Sequence, residues 1–250
     1  TLTPNDKIDV NVNLGVINAR RDMSLDRGLS LPAAWFTDPA GNRIDVLRGV
    51  SFSVDRGESI AIMGPSGTGK STLLHLLGGL EAPDNGSIAL GNFEIDRAQS
   101  SALARFRSHQ VGLVFQFHYL LADLSAAENV ALPLLIGRTS HATAMQQAIA
   151  LLTEMGLGSR IDHPISHLSG GEQQRVAACR ALIKQPVLVL ADEPTGNLDA
   201  TAAARLGELL VSYSRSRRAI VIIATHNEGL AQLCDQILRI DEGRVQPVQV

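Results

Sequence analysis

The chain has 250 residues, 45% of them hydrophobic, with 22 basic and 25 acidic residues and a formal charge of −3. This length and apolar content suit one large α/β domain, or a domain with a subdomain, and the near-balanced charge excludes wholesale binding to nucleic acid or an anionic membrane. Cys179 and Cys234 stand far apart in no metal-ligand spacing, which argues against a disulfide framework or a zinc site and fits a reducing compartment.

Residues 1–30 form an N-terminal extension of unknown role, with a weak alternation from Ile8 to Leu14, a basic pair at Arg20 and Arg21, and no apolar stretch of the signal-peptide kind. From Val46 the pattern predicts a strand over 47–54, a turn at Asp55-Arg56-Gly57, a strand over 59–63, a glycine-rich loop and a helix over 71–77. Pro83-Asp84-Asn85-Gly86 turns the chain into a strand over 87–90, and a further strand over 112–115 stops at Gln116. Strand signals vanish between about 117 and 171, where a helical pattern covers 142–155. A helix follows over 174–182, and buried, β-branched strands return at 187–191 and 219–224, the mark of a parallel sheet. No apolar run nears the roughly 20 residues needed to cross a bilayer.

Three strings carry chemistry. Gly64-Pro65-Ser66-Gly67-Thr68-Gly69-Lys70-Ser71 fits the pattern of a phosphate-binding loop between a strand and a helix. Its glycines let successive backbone N–H groups face phosphate oxygens at the positive end of a helix. In that pattern Lys70 reaches the β- and γ-phosphates and the Ser71 hydroxyl ligates Mg²⁺. Asp192 and Glu193 end an apolar strand, where open α/β sheets bind ligands; one acid can hold Mg²⁺ and the next can polarise water. Alone, such a pair reads equally as helix-entry acids. Leu168-Ser169-Gly170-Gly171-Glu172-Gln173 opens a helix, and its serine serves either an anion or an ordinary N-cap with an acid in the first turn.

In this order the strings resemble the ATP-binding subunit of an ABC transporter over about residues 31–245: the Walker A run, Gln116 as Q-loop, Leu168 to Gln173 as signature, Asp192-Glu193 as Walker B, Gly196-Asn197-Leu198-Asp199 as D-loop and Thr225-His226 as H-loop. The resemblance implies an α/β fold: a P-loop NTPase (RecA-like) core of mixed, largely parallel sheet, an α-helical subdomain and an antiparallel β edge. Residues 31–116 and 172–250 would form the core and 117–171 the helical subdomain with the signature. ATP and Mg²⁺ would be the ligands. Lys70, Ser71 and Thr72 would grip phosphates and metal within the cradle of Gly64, Ser66, Gly67 and Gly69, with Gln116 and Asp192 completing the metal shell. Glu193 would be the general base, and His226 would contact the γ-phosphate. Ser169, Gly170 and Gly171 would face the nucleotide of a second copy, making a head-to-tail dimer whose two sites Asp199 couples. Phe36 would stack on adenine, with Trp35 packed in a strand. Two departures stand out: Asn227 where an acid usually follows the histidine, and Pro32-Ala33-Ala34 interrupting the stretch of a first strand.

A finer resemblance lies in Phe115 to Leu121, Ala127 to Gly137, His75 to Leu80 and Ala191 to Asp199. Together they are similar to the branch that holds lipoprotein-releasing LolD proteins, MacB-type macrolide exporters and the cell-division ATPase FtsE. That branch implies an ATPase on the cytoplasmic side of the inner membrane, reaching the membrane only through permease subunits that dock on the segment after Gln116, with exposed Phe117, Tyr119 and Leu120 as anchors. The alternative is a regulatory ATPase that switches a membrane partner without moving cargo. No nucleic-acid partner is expected, since the long coiled-coil insert of DNA-repair relatives is missing.

Overall fold

The computed structural model describes residues 7–12, 35–37 and 43–248, with side chains at Ile8 and from Val46 onward. Its main sheet has six strands. In spatial order they are β12 (Arg244–Pro247), β11 (Gln236–Asp241), β5 (Ser59–Met63), β10 (Ile220–Thr225), β9 (Leu188–Asp192) and β8 (Val111–Val114). Only β12 runs antiparallel to its neighbour; the other four pairings are parallel. Helices cover both faces, so the central strands read as continuous apolar runs and all six residues of β10 are buried. Parallel pairing brings the carboxyl ends of β5, β8, β9 and β10 to one edge, and that edge carries the phosphate loop, Gln116, Asp192-Glu193 and Thr225-His226.

One face packs α1 (Lys70–Leu77) through Leu73, Leu74, Leu76 and Leu77 against Ile60, Ile62, Leu190 and Ile222. The other packs α6 (Ala200–Arg217) and α7 (Glu228–Ala231) through Leu206, Leu210 and Leu230 against Val189, Val221 and Ile223. A third cluster joins α3 (Ala126–Ile136), α4 (His141–Glu154) and α5 (Gly170–Leu182) around Val130, Ala148, Leu152 and Val176. Ser125 and Glu128 form a capping box that starts α3, and Ser140 caps α4.

The second sheet is antiparallel, ordered β4 (Val50–Asp55), β1 (Lys7–Val12), β6 (Ser87–Leu90) and β7 (Phe93–Glu94). Within the stretch read as an extension, residues 7–12 form β1, which lies between β4 and β6 with Ile8 fully buried opposite Val54 and Leu90. The alternation at Ile8 and Val10 was its signature. Pro32-Ala33-Ala34 lies outside the described residues. A short hairpin pairs β2 (Trp35–Thr37) with β3 (Arg43–Asp45). The strand expected over 47–54 begins at Val50, and α2 (Ser100–Gln110), α3, α6, β7, β11 and β12 add to the elements read from the sequence.

Candidate functional site

The phosphate loop leaves β5 at Gly64 and enters α1 at Lys70. Glycine is required at two points. A Cβ at Gly64 would stand 2.5 Å from the Ile240 carbonyl oxygen, and Gly69, at φ +99°, has no room for one beside Val46 and Leu47 at 2.8 Å. Ser66, Gly67 and Ser71 face solvent, and the Thr68 hydroxyl closes the turn by donating to the Pro65 carbonyl at 2.9 Å. Thr72 is buried on α1.

Lys70 is 7% exposed, and its Nζ donates to the carbonyls of Gly64 (2.8 Å) and Pro65 (3.1 Å). The same Nζ stands 3.8 Å from Glu193 Oε1. A cation is thus fixed inside the loop, opposite the carboxylate at the end of β9.

Glu193 draws the rest together. Its Oε1 lies 2.9 Å from His226 Nδ1, while Oε2 accepts from the Thr225 hydroxyl (3.2 Å) and the His226 backbone N–H (3.3 Å). Its backbone takes φ +44°, a left-handed conformation that only over-determined surroundings hold; its N–H donates to the Ala224 carbonyl at 2.8 Å. His226 is mostly exposed, so one imidazole edge meets Glu193 and the other is open to a ligand. Beside it, Asp192 Oδ1 is buried with no hydrogen-bond partner among the described residues. A buried carboxylate oxygen is costly unless something satisfies it, and a hard divalent cation with oxygen ligands fits that need.

Gln116 reaches the turn after Glu193: its amide nitrogen would be 3.1 Å from a Cβ at Gly196, and its carbonyl accepts from Asn197 at 3.5 Å. Among the described residues no hydrogen bond or ion pair ties Gln116 to Lys70 or Glu193. Ser169, Gly170 and Gly171 form a separate cleft of about 340 Å³ with Asn197, Asp199 and Arg175. Here both readings of Ser169 meet, since it is the N-cap of α5 in a capping box with Glu172 and also lines an open cleft. Arg160, 2.7 Å away, and the Ser169 N–H hold the Glu172 carboxyl down at about 2. Asp199 caps α6 through the Ala202 N–H at 2.9 Å. This cleft stands apart from the loop, with no hydrogen bond or ion pair among the described residues joining Ser169–Gly171 to 64–71.

Asn227, the departure next to His226, caps α7 by accepting from the Leu230 N–H at 3.1 Å. Phe36 lies on β2 opposite Ile44, but its side chain, like that of Trp35, is outside the described residues. After Gln116, Phe117 and Tyr119 are each 66% exposed. Leu120 is a correction: it packs half-buried on the helical cluster, and Leu121 stands exposed in its place. Sequence reasoning gave no role to Thr225, Asn197 or Arg175; the first two sat inside strings already quoted, and only the fold shows what they touch.

A strand, phosphate loop and helix feeding a carboxylate pair at the edge of a parallel sheet define a P-loop nucleotide hydrolase. The ABC transporter family model matches residues 47–196, and the chain belongs to that family. It is an ATP-binding and ATP-hydrolysing subunit that uses Mg²⁺. Among curated relatives it is 49% identical over 203 residues to the lipoprotein-releasing system ATP-binding protein LolD of Geobacter metallireducens, spanning 81% of this chain and 90% of that one. It is 50% identical over 200 residues to LolD of Pseudomonas syringae pv. tomato, spanning 80% and 88%. Among solved structures, the dimeric bacterial ABC transporter cassette MJ0796 superposes with a TM-score of 0.81 at 29% identity, covering 97% of this chain and 99% of that one. A dimeric post-hydrolysis state of MJ0796 bound to ADP and Pi superposes at 0.79 and 28% identity, with the same coverage. No described helix is long and apolar enough to cross a membrane.

Proposed function

We propose that the chain is the ATPase motor of a lipoprotein-releasing machine, working as a head-to-tail pair beneath permease subunits on the cytoplasmic face of the inner membrane. The observation that carries this reading is the cluster of Lys70, Glu193, Thr225 and His226 beside the unpartnered Asp192 oxygen. The LolD likeness names the cargo class, and it favours release over a regulatory role.

Gly64, Ser66, Gly67 and Gly69 cradle the phosphates, Lys70 neutralises them, and Thr72 supports the start of α1. Asp192, Ser71 and Gln116 hold Mg²⁺, which when bound offsets phosphate charge and orients the oxygens. Glu193 accepts the proton of the attacking water, and His226, held by Glu193, contacts the γ-phosphate. Phe36 stacks on adenine. Ser169, Gly170 and Gly171 of one copy close on the nucleotide of the other, with Asp199 at the seam; the dimeric form of MJ0796 supports this pairing. Residues 31–116 and 172–250 act as the core, joined by β1, and 117–171 as the helical lever. A donor set completed only on closure ties hydrolysis to a conformational cycle. Phe117, Tyr119 and Leu121 offer the permease its foothold, since buried aromatics dominate interface energy.

A pull-down from native membranes with Glu193→Gln in Mg-ATP, read by mass spectrometry, tests the assignment. Recovery of a membrane protein with a periplasmic domain is expected; recovery of only soluble partners would overturn the membrane-motor reading.

A further inference from the structure

The segment after β8 is fastened by two helices, α5 along residues 115–119 and α3 at Leu121. Gln174 on α5, 1% exposed, donates through Nε2 to the Phe115 carbonyl at 3.0 Å, and its Oε1 meets His118 Nδ1. Arg180, also on α5, spreads its guanidinium over two further carbonyls, with Nη2 to His118 at 2.8 Å and Nη1 to Tyr119 at 2.7 Å. Tyr119 sits at φ +46°, a conformation that needs outside support, and the Arg180 bond supplies it. Asn129 closes the far end by holding both the N–H and the carbonyl of Leu121, at 2.8 and 3.0 Å. Above these bonds, Phe117, Tyr119 and Leu121 project into solvent. The N-terminal end of α5, just before Gln174, carries Ser169–Gly171, lining its cleft.

We propose that Gln174 and Arg180 are positioning residues that clamp the segment 115–119 to α5, so that force on Phe117 and Tyr119 is delivered to Ser169–Gly171 by movement of the whole helix. The inference deepens the docking reading above and rests on it for the source of that force. Its physical basis is stiffness. Charge-assisted bonds from one planar guanidinium to two successive carbonyls fix direction as well as distance, and a helix transmits displacement along its length without internal rearrangement. Among the described residues no hydrogen bond or ion pair joins either side chain to the phosphate loop or the carboxylates. Their loss should therefore separate partner response from chemistry.

The test uses the full chain assembled with its membrane subunits in vesicles, comparing the parent with Arg180→Lys and Gln174→Met. Arg180→Lys keeps the charge but loses the two-carbonyl grip, and Gln174→Met keeps the volume. The expected result is that the partner's stimulation of turnover drops about 10-fold or more, while partner capture, the KM for ATP and turnover without partner stay near parent values. A purely structural role would lower all of these together, and stimulation equal to the parent's in both variants would also overturn the clamp. Two controls keep the readings apart. Phe117→Ala with Tyr119→Ala should lose capture itself; retained capture and stimulation would end the docking reading. The clamp is then judged on the isolated chain by amide hydrogen exchange. Adding Mg-ATP should change exchange at both 169–171 and 117–121 in the parent, and at 169–171 alone in Arg180→Lys. Equal change at both segments in parent and variant contradicts the clamp.

Discussion

At the scale of single residues, the site is a set of charges held where a nucleotide would need them. Glu193→Gln keeps the shape and removes the proposed base, so turnover should fall by about 10²- to 10⁴-fold with ATP affinity preserved, measured by steady-state hydrolysis and calorimetry. Gly69→Ala should instead cost affinity, because its Cβ meets Val46 and Leu47 at 2.8 Å and its φ of +99° is strained for alanine; unchanged affinity would remove the close-packing argument. Burial pushes the Cys179 thiol up to about 12. The thiolate is the nucleophile, so Cys179 should resist alkylation at neutral pH until the chain unfolds, as mass spectrometry of labelled protein can check.

At the scale of elements, helix ends do the positioning. The α5 cap joins Ser169, Glu172 and Arg160, and Glu172→Ala should destabilise the fold by about 1 kcal/mol. The sign with pH follows from the lowered carboxyl: its folded value of about 2 lies below the ordinary 4.5, so its stabilisation is full above 4.5 and drains away as pH falls toward 2. Melting curves of the parent and Glu172→Gln should converge as pH is lowered through that window, and a constant gap would contradict the cap. The elements differ in how openly the sequence declares them. Strands β5, β9 and β10 were plain because burial on both faces forces unbroken apolar runs. Helix α2 was not, since Phe106 is its one buried side chain and no apolar stripe betrays its period. Helix α3 did carry a readable start in Ser125 and Glu128, but Pro133 and an apolar character on all sides obscured it.

At the scale of the whole molecule, the sheet edge gathers the phosphate loop, Gln116, the carboxylates and His226 from four parallel strands, and the order of their motifs was legible throughout. What the sequence could not convey was long-range pairing. Six alternating residues at 7–12 say little alone, yet they become the strand that joins β4 to β6. Ile8→Ala, at a fully buried position, should cost about 2–5 kcal/mol in denaturant unfolding, whereas a loss near zero would mean that β1 is dispensable. Nor could one chain convey that Ser169–Gly171 line a cleft separate from the phosphate loop; on the proposed reading that separation is why a second copy is needed. The central claim is therefore best tested by measuring ATP turnover per chain as a function of protein concentration. A composite site predicts specific activity that climbs with concentration to a plateau, and constant activity per chain at dilutions where sedimentation finds only monomers would contradict it.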